Sequence, residues 1–299
     1  MKESILEKYG ENLTANKYLV NPAVSRDREL KDLVMVLLTP ERSAVLVGKP
    51  GIGKTAIVEG LAYRMQLNDM PNALKGYQVW KISTPSLLGT FDGNNRVTEL
   101  INELKDREKI ILFIDEIHML MGSGGNGPMD LANMFKEGLS RGTVKIVGAT
   151  TSDEYDRYIL RDKAFVRRFQ KIEVAEPDAD MCTNILMRTV AKIEIQTGVK
   201  LNYPDYIKER IMRFIVNMTS EYKRVYEVQS RYPDVALTVL RQAFSAALFD
   251  NATEVKLKHV YTAIKETKAV YPDVVRKETK NFKEQFKKEL EMEGTVLDD

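Results

Sequence analysis

The sequence predicts an α/β protein: a parallel, five-stranded sheet with flanking helices, followed by a smaller all-α domain. Two runs, Ala44–Val47 and Ile110–Ile114, are continuously apolar instead of alternating, as strands covered on both faces are. The first leads through a glycine-rich turn, Gly48-Lys49-Pro50-Gly51-Ile52-Gly53-Lys54-Thr55, into a helical pattern from Ala56 to Gln66. After Glu176-Pro177-Asp178 the strand-like runs stop and helical spacing takes over.

Residues 1–21 are polar and mixed and read as a lead-in segment. The α/β domain is expected over 22–177 and opens with helical spacing at Leu30, Leu33, Val34 and Leu37, ended by Pro40. Short β-rich runs follow at Ala44–Val47, Tyr77–Ile82, Ile110–Asp115, Val144–Ala149 and Ile172–Val174. Helices near 55–67, 96–106 and 129–140 supply the crossovers that parallel strands require. In the helical domain, 178–270, Leu237, Leu240, Phe244 and Leu248 mark one amphipathic helix. Leu257, Val260, Tyr261 and Ile264 mark another. From 271 to 299 the chain is charge-rich with sparse apolar positions, and reads as a solvated helix or a tail.

Bulk properties exclude several classes. At 299 residues, 43% hydrophobic and 29% charged, the composition is that of a globular protein. No run of about 18 apolar residues predicts a membrane span. Met1-Lys2-Glu3-Ser4 lacks the apolar core of a signal peptide, so a cytoplasmic location is expected. Cys182 is the sole cysteine, which rules out an internal disulfide and a cysteine-rich metal site. The net charge of +2 is too balanced to point to nucleic acid, though it leaves room for a local basic patch.

The turn at Gly48–Thr55 is a phosphate-binding loop in its proper context of strand, turn and helix. Its glycines let backbone N–H groups face one anion, and the helix N-terminus adds partial positive charge. Pro50, Gly51, Ile52, Gly53, Lys54, Thr55 and Ala56 would line a nucleoside triphosphate, with Lys54 on the outer phosphates and Thr55 on magnesium. About 60 residues on, the apolar run ends in Asp115-Glu116. Asp115 at a strand's C-terminal edge would help hold magnesium through its water shell, and Glu116 would orient or deprotonate the attacking water. A third strand ends in Thr150-Thr151, whose hydroxyls could hold that water or feel the γ-phosphate. The adjacent pair Arg167-Arg168 reads as solvated surface, or as a finger entering a neighbouring subunit's site.

These elements, in this order, resemble the AAA+ family of ring ATPases, closest to the first nucleotide-binding module of Clp-type unfoldases and disaggregases. The resemblance covers roughly residues 9–270, as a single module without an N-terminal domain. Tyr9-Gly10-Glu11-Asn12-Leu13-Thr14 is similar to the family's lead-in. Lys49 to Ala62 and Gly148 to Tyr155 are nearly its consensus. The resemblance implies ATP and Mg2+ as cofactors and assembly with copies of itself into a hexameric ring. It assigns adenine contacts to Ala23, Val24 and Ile185, the sensor to Thr151 and the finger to Arg167 and Arg168. It also aligns Phe91 with the aromatic of the axial pore loop, although Thr90 and Asp92 stand where that loop has basic residues. A second pore loop would fall at Met121–Pro128. In the helical domain the sensor-2 cation is missing, with Val235 in its place and Arg231 out of register.

The function expected on these grounds is ATP-driven remodelling or unfolding of a protein client threaded past Phe91. The alternative is an AAA+ ATPase acting in a nucleic-acid transaction, such as a loader, helicase or transposition regulator. The apolar tripeptide loop that docks on a protease chamber is not recognisable, so a protease partner is not expected. His118, just past Glu116, reads as structural, since one histidine makes no metal site.

Overall fold

In a computed structural model, residues 4–91, 94–121, 144–226 and 231–297 are described, with the backbone alone at Phe91 and Asn94. The expected helix at 129–140 and all but Met121 of the second pore-loop segment lie outside the described residues. The chain divides into two units: residues 1–49 with 53–175, and residues 50–52 with 176–299.

The first unit is built on a sheet of six strands: β1 (Gly10–Asn12), β2 (Ser43–Val47), β3 (Gln78–Ser83), β6 (Ile110–Asp115), β7 (Val144–Thr150) and β8 (Phe169–Glu173). A separate hairpin pairs β4 (Thr90–Phe91) with β5 (Asn94–Asn95). Across the large sheet the order is β1-β3-β6-β7-β2-β8. All neighbours are parallel except β1, which pairs antiparallel with Trp80–Ile82 of β3. The expected count of five strands is therefore corrected to six. The extra strand is three polar residues on an edge, where backbone pairing needs no apolar run, so hydrophobic patterning gives no sign of it.

Burial follows the patterning elsewhere. Every residue of β2 and β7 is buried, as are Ile110–Ile114 of β6. Helix α2 (Asp27–Leu38) turns Leu30, Leu33, Val36 and Leu37 inward. Next come α3 (Lys54–Gln66), the single turn α4 (Thr84–Leu87) and α5 (Arg96–Asp106). Helix α5 buries Val97, Leu100, Ile101 and Leu104.

The lead-in segment joins this core. Helix α1 (Ile5–Tyr9) buries Ile5 and Leu6, and its unpaired N-terminal N–H groups are met by a carboxylate of α5. Ile5 N–H donates to Glu103 Oε2 at 2.7 Å, and Arg107 pairs with Glu7 and Glu103 at 3.0 Å each.

The second unit is helical: α7 (Ala179–Thr197), α8 (Asp205–Met218), α9 (Asp234–Phe249), α10 (Leu257–Glu266), α11 (Pro272–Gln285) and α12 (Lys287–Glu293) follow α6 (Lys163–Arg168) of the first. The charge-rich segment expected as a solvated helix or tail is part of this core. Phe282 and Phe286 are fully buried and Leu290 nearly so, against Phe214 and Tyr261. Three apolar residues at i, i+4 and i+8 suffice to seat two short helices, a signal that averaging over a charged segment hides. No helix among the described residues is long and apolar enough to cross a membrane.

Candidate nucleotide site

Three neighbouring strands bring the predicted chemistry to one edge of the sheet. β2 lies beside β7 with Val47 opposite Thr150, and β7 lies beside β6 with Gly148 opposite Ile114. The residues that follow, Gly48, Thr151 and Asp115, therefore emerge at the same C-terminal edge, where ligands of parallel sheets bind. Gly48 N–H donates to Thr150 O at 3.3 Å and ties the start of the phosphate loop to the end of β7.

Gly53 takes φ 99° as α3 begins at Lys54, a conformation that favours glycine and turns the strand into the helix. Gly51 is also left-handed, at φ 73°. Pro50 and Gly51 are exposed, Ile52 is buried and Ala56 is half-buried. The Lys54 ammonium donates to Gly48 O at 2.7 Å and Lys49 O at 3.0 Å, held over its own loop. Burial holds its pKa below the ordinary lysine value, while Asp115, Glu154 and Glu116 oppose that shift.

Thr55 and Asp115, 60 residues apart, meet here: Thr55 Oγ1 donates to Asp115 Oδ2 at 3.3 Å. A hydroxyl and a carboxylate are the hard oxygen donors magnesium takes beside water and phosphate, so the pair fits that ion. Glu116, the next residue, is exposed and has φ 53°, unusual for a residue with a side chain. The Thr84 hydroxyl donates to both Asp115 O and, at 3.3 Å, Glu116 O, which fixes this turn.

The hydroxyls at the end of β7 divide their work. Thr151 caps the turn at Ser152–Glu154 in a reciprocal box: its Oγ1 accepts from Glu154 N–H at 3.3 Å and its N–H donates to Glu154 Oε2 at 3.0 Å. Thr150 donates to the same Oε2 at 3.3 Å and lies 3.1 Å from His118 Nδ1. His118 Nδ1 is also 3.2 Å from Glu154 Oε2. Burial raises the Glu154 pKa, but the hydrogen bonds from Thr151 and Thr150 and the charge of His118 outweigh it and hold the carboxyl low. His118, expected to be structural, links the segment after Glu116 to the end of β7 through Thr150 and Glu154. The spacing of Glu154 three residues after Thr151 is the sequence signal for the box itself.

Arg167 and Arg168 end α6, with Arg167 exposed and its carbonyl accepting from Arg42 Nη1. Phe169 pairs with Ser43, the first residue of β2, whereas the phosphate loop follows Val47, the last. Four strand steps, roughly 13 Å, separate the two ends, so both arginines leave the sheet at the edge away from Lys54. Ala23 is buried against α3, where a Cβ on Gly60 would come within 2.2 Å of its own Cβ; Val24 follows, half-buried. Ile185 lies half-buried on α7 in the second unit. In that unit Val235 is buried in the core, and Arg231 is bonded to Glu221 at 2.8 Å.

Comparison with known proteins adds to this geometry. Residues 44–173 match the model of the ATPase family associated with various cellular activities (AAA). Over 252 residues the chain is 37% identical to the chaperone protein ClpB of Aquifex aeolicus, covering 81% of this chain and 24% of that protein. It is 36% identical over 280 residues to the ATP-dependent Clp protease ATP-binding subunit ClpE of Bacillus subtilis, covering 89% and 38%. Among solved structures it is similar to Hsp104 with ATPγS and casein, at TM-score 0.72 and 33% identity, over 87% of this chain and 45% of that one. The S. cerevisiae Hsp104–ADP complex matches at TM-score 0.71 and 34% identity, over 86% and 44%. The chain spans less than half the length of each of these relatives.

Proposed function

This chain carries an ATPase domain of the AAA family, homologous to a nucleotide-binding module of ClpB, ClpE and Hsp104, and we propose that it hydrolyses ATP to remodel a protein client. The observation that carries the reading is the meeting of Thr55 with Asp115 at 3.3 Å beside the Lys54 ammonium, at one sheet edge. Lys54 and the loop from Pro50 to Ala56 hold the phosphates. Thr55 and Asp115 would hold a magnesium ion, which would offset phosphate charge. Glu116 takes the proton of the attacking water, and Thr151 senses the γ-phosphate. Ala23, Val24 and Ile185 contact the adenine.

Arg167 and Arg168 complete the site of a neighbouring copy in a ring, which we take to be a hexamer. Their exit at the end of β8 away from the phosphate loop supports this, since a finger placed there is better sited for a neighbouring copy's phosphates than for its own. A protein client is supported by the relatives, since ClpB is a chaperone and Hsp104 was solved with casein. Phe91 is the residue that presses on the extended client.

Glu116→Gln tests the reading. The variant should bind ATP with near-native affinity and lose hydrolysis by ~10²–10⁴. With ATP it should sediment as a ring that retains labelled casein. A variant that stays monomeric at saturating ATP, or hydrolyses at the wild-type rate, contradicts it.

A further inference from the structure

The Thr90–Asn95 hairpin should not hold its own shape. Its strands are two residues each, and short isolated hairpins are marginal in water. What closes it is the first residue of α5. Arg96 N–H donates to Gly89 O at 3.1 Å. The Arg96 guanidinium donates from Nε to Thr90 O and from Nη1 to Ser86 O, both at 3.0 Å. One planar fork thus joins the hairpin to the end of α4. Its Cζ lies 4.5 Å from the centroid of the Tyr9 ring, so the lead-in segment supplies a platform beneath it.

Two further features mark the position. A cation in the first turn of a helix opposes the helix dipole, so sequence rules disfavour arginine there. The guanidinium is instead turned back onto carbonyl oxygens. Gly89 stands at φ 143°, and a Cβ there would come within 3.3 Å of Arg96 Cζ. The glycine therefore admits the fork as well as the turn. At the other end of α4, the Thr84 hydroxyl is bonded to the carbonyls of Asp115 and Glu116.

We infer that Arg96 is the positioning residue of this hairpin, fastening the backbone of its first strand to α4 and thereby to the Glu116 turn. The inference rests on the proposed role of Phe91 for its use, but not for its test. A lysine does not reproduce this arrangement: the guanidinium Nε and Nη1 meet Thr90 O and Ser86 O from two fixed, separated positions in one plane, which a single ammonium nitrogen does not offer.

The test uses hydrogen exchange of the full chain with ATP, for wild type, Arg96→Met and Arg96→Lys. Amides over 86–96 should exchange at least tenfold faster in both variants, while those of β6 are unchanged. ATPase without client should stay within twofold of wild type, with KM for ATP unchanged, and stimulation by casein should fall about tenfold. Wild-type exchange over 86–96 in both variants overturns the assignment; fast exchange with full casein stimulation upholds it and overturns the use of the hairpin on a client. Failure of the Phe91 reading is separate: casein would then not stimulate the wild-type chain, and exchange alone decides the role of Arg96.

Discussion

The sheet edge at Gly48, Asp115 and Thr150 and the hairpin at Thr90–Asn95 are held by different means. At the edge, three strands with buried cores are locked in parallel register, so each polar residue is positioned by the whole sheet. The hairpin is positioned by one arginine reaching two carbonyls. The difference teaches that chemistry demanding fixed atoms sits on the over-determined element, while the hairpin proposed to meet a client is fastened at few points. Local openings are cheapest where few buried contacts must break.

The largest effect that could break this comparison lies at the far edge of the same sheet. Removing both arginines, as Arg167→Ala with Arg168→Ala, should lower ATP hydrolysis by ~10³–10⁵ in steady-state assays while each subunit still binds nucleotide. A loss of less than tenfold would reduce the pair to surface charge. Next is Gly60→Val, which forces side-chain atoms into the space of Ala23, already 2.2 Å from an added Cβ. It should destabilise the first unit by about 1–3 kcal/mol in denaturant unfolding. Gly89→Ala should behave oppositely. It strains a φ of 143° and crowds Arg96, so exchange over 86–96 should rise while the global midpoint moves little. An equal fall in midpoint for both glycine variants would erase the distinction between the two regions.

The smallest effect is on pH dependence. The Glu154 carboxyl is held below its ordinary value of 4.5. Its contribution is therefore fully present above that value and is lost as pH falls through the lower, folded pKa. Thermal midpoints of wild type and Glu154→Gln should differ near neutrality and converge in acid. A gap that stays constant down to pH 3 would show that the cap around Thr151 does not depend on this charge.

Much of the sheet edge was legible in the sequence because its residues obey local rules. Apolar runs, glycines at a strand-to-helix turn and carboxylates after a strand each have one physical reading, and Thr55 and Asp115 meet as expected. Less was legible where pairing is long-range. The strand Gly10–Asn12 shows no hydrophobic periodicity because it is short, polar and on the sheet edge, so nothing local announces its pairing with Trp80–Ile82. Phe282, Phe286 and Leu290 were hidden among charges. His118 gave no sign of its place between Thr150 and Glu154, since nothing local to it announces a neighbour 32 residues on. Arg96 contradicts the dipole rule for helix starts, and only its contacts with Ser86, Thr90 and Tyr9 explain it.

The central claim is that one copy's arginines complete another copy's site. The most direct measurement mixes two inactive chains, Glu116→Gln and the double variant Arg167→Ala with Arg168→Ala, and follows ATP hydrolysis against mixing ratio. The account predicts activity that is near zero for either chain alone and passes through a maximum at intermediate ratios, where an intact Glu116 faces intact arginines. Activity that stays near zero at every ratio, in mixtures shown to co-assemble, would contradict it.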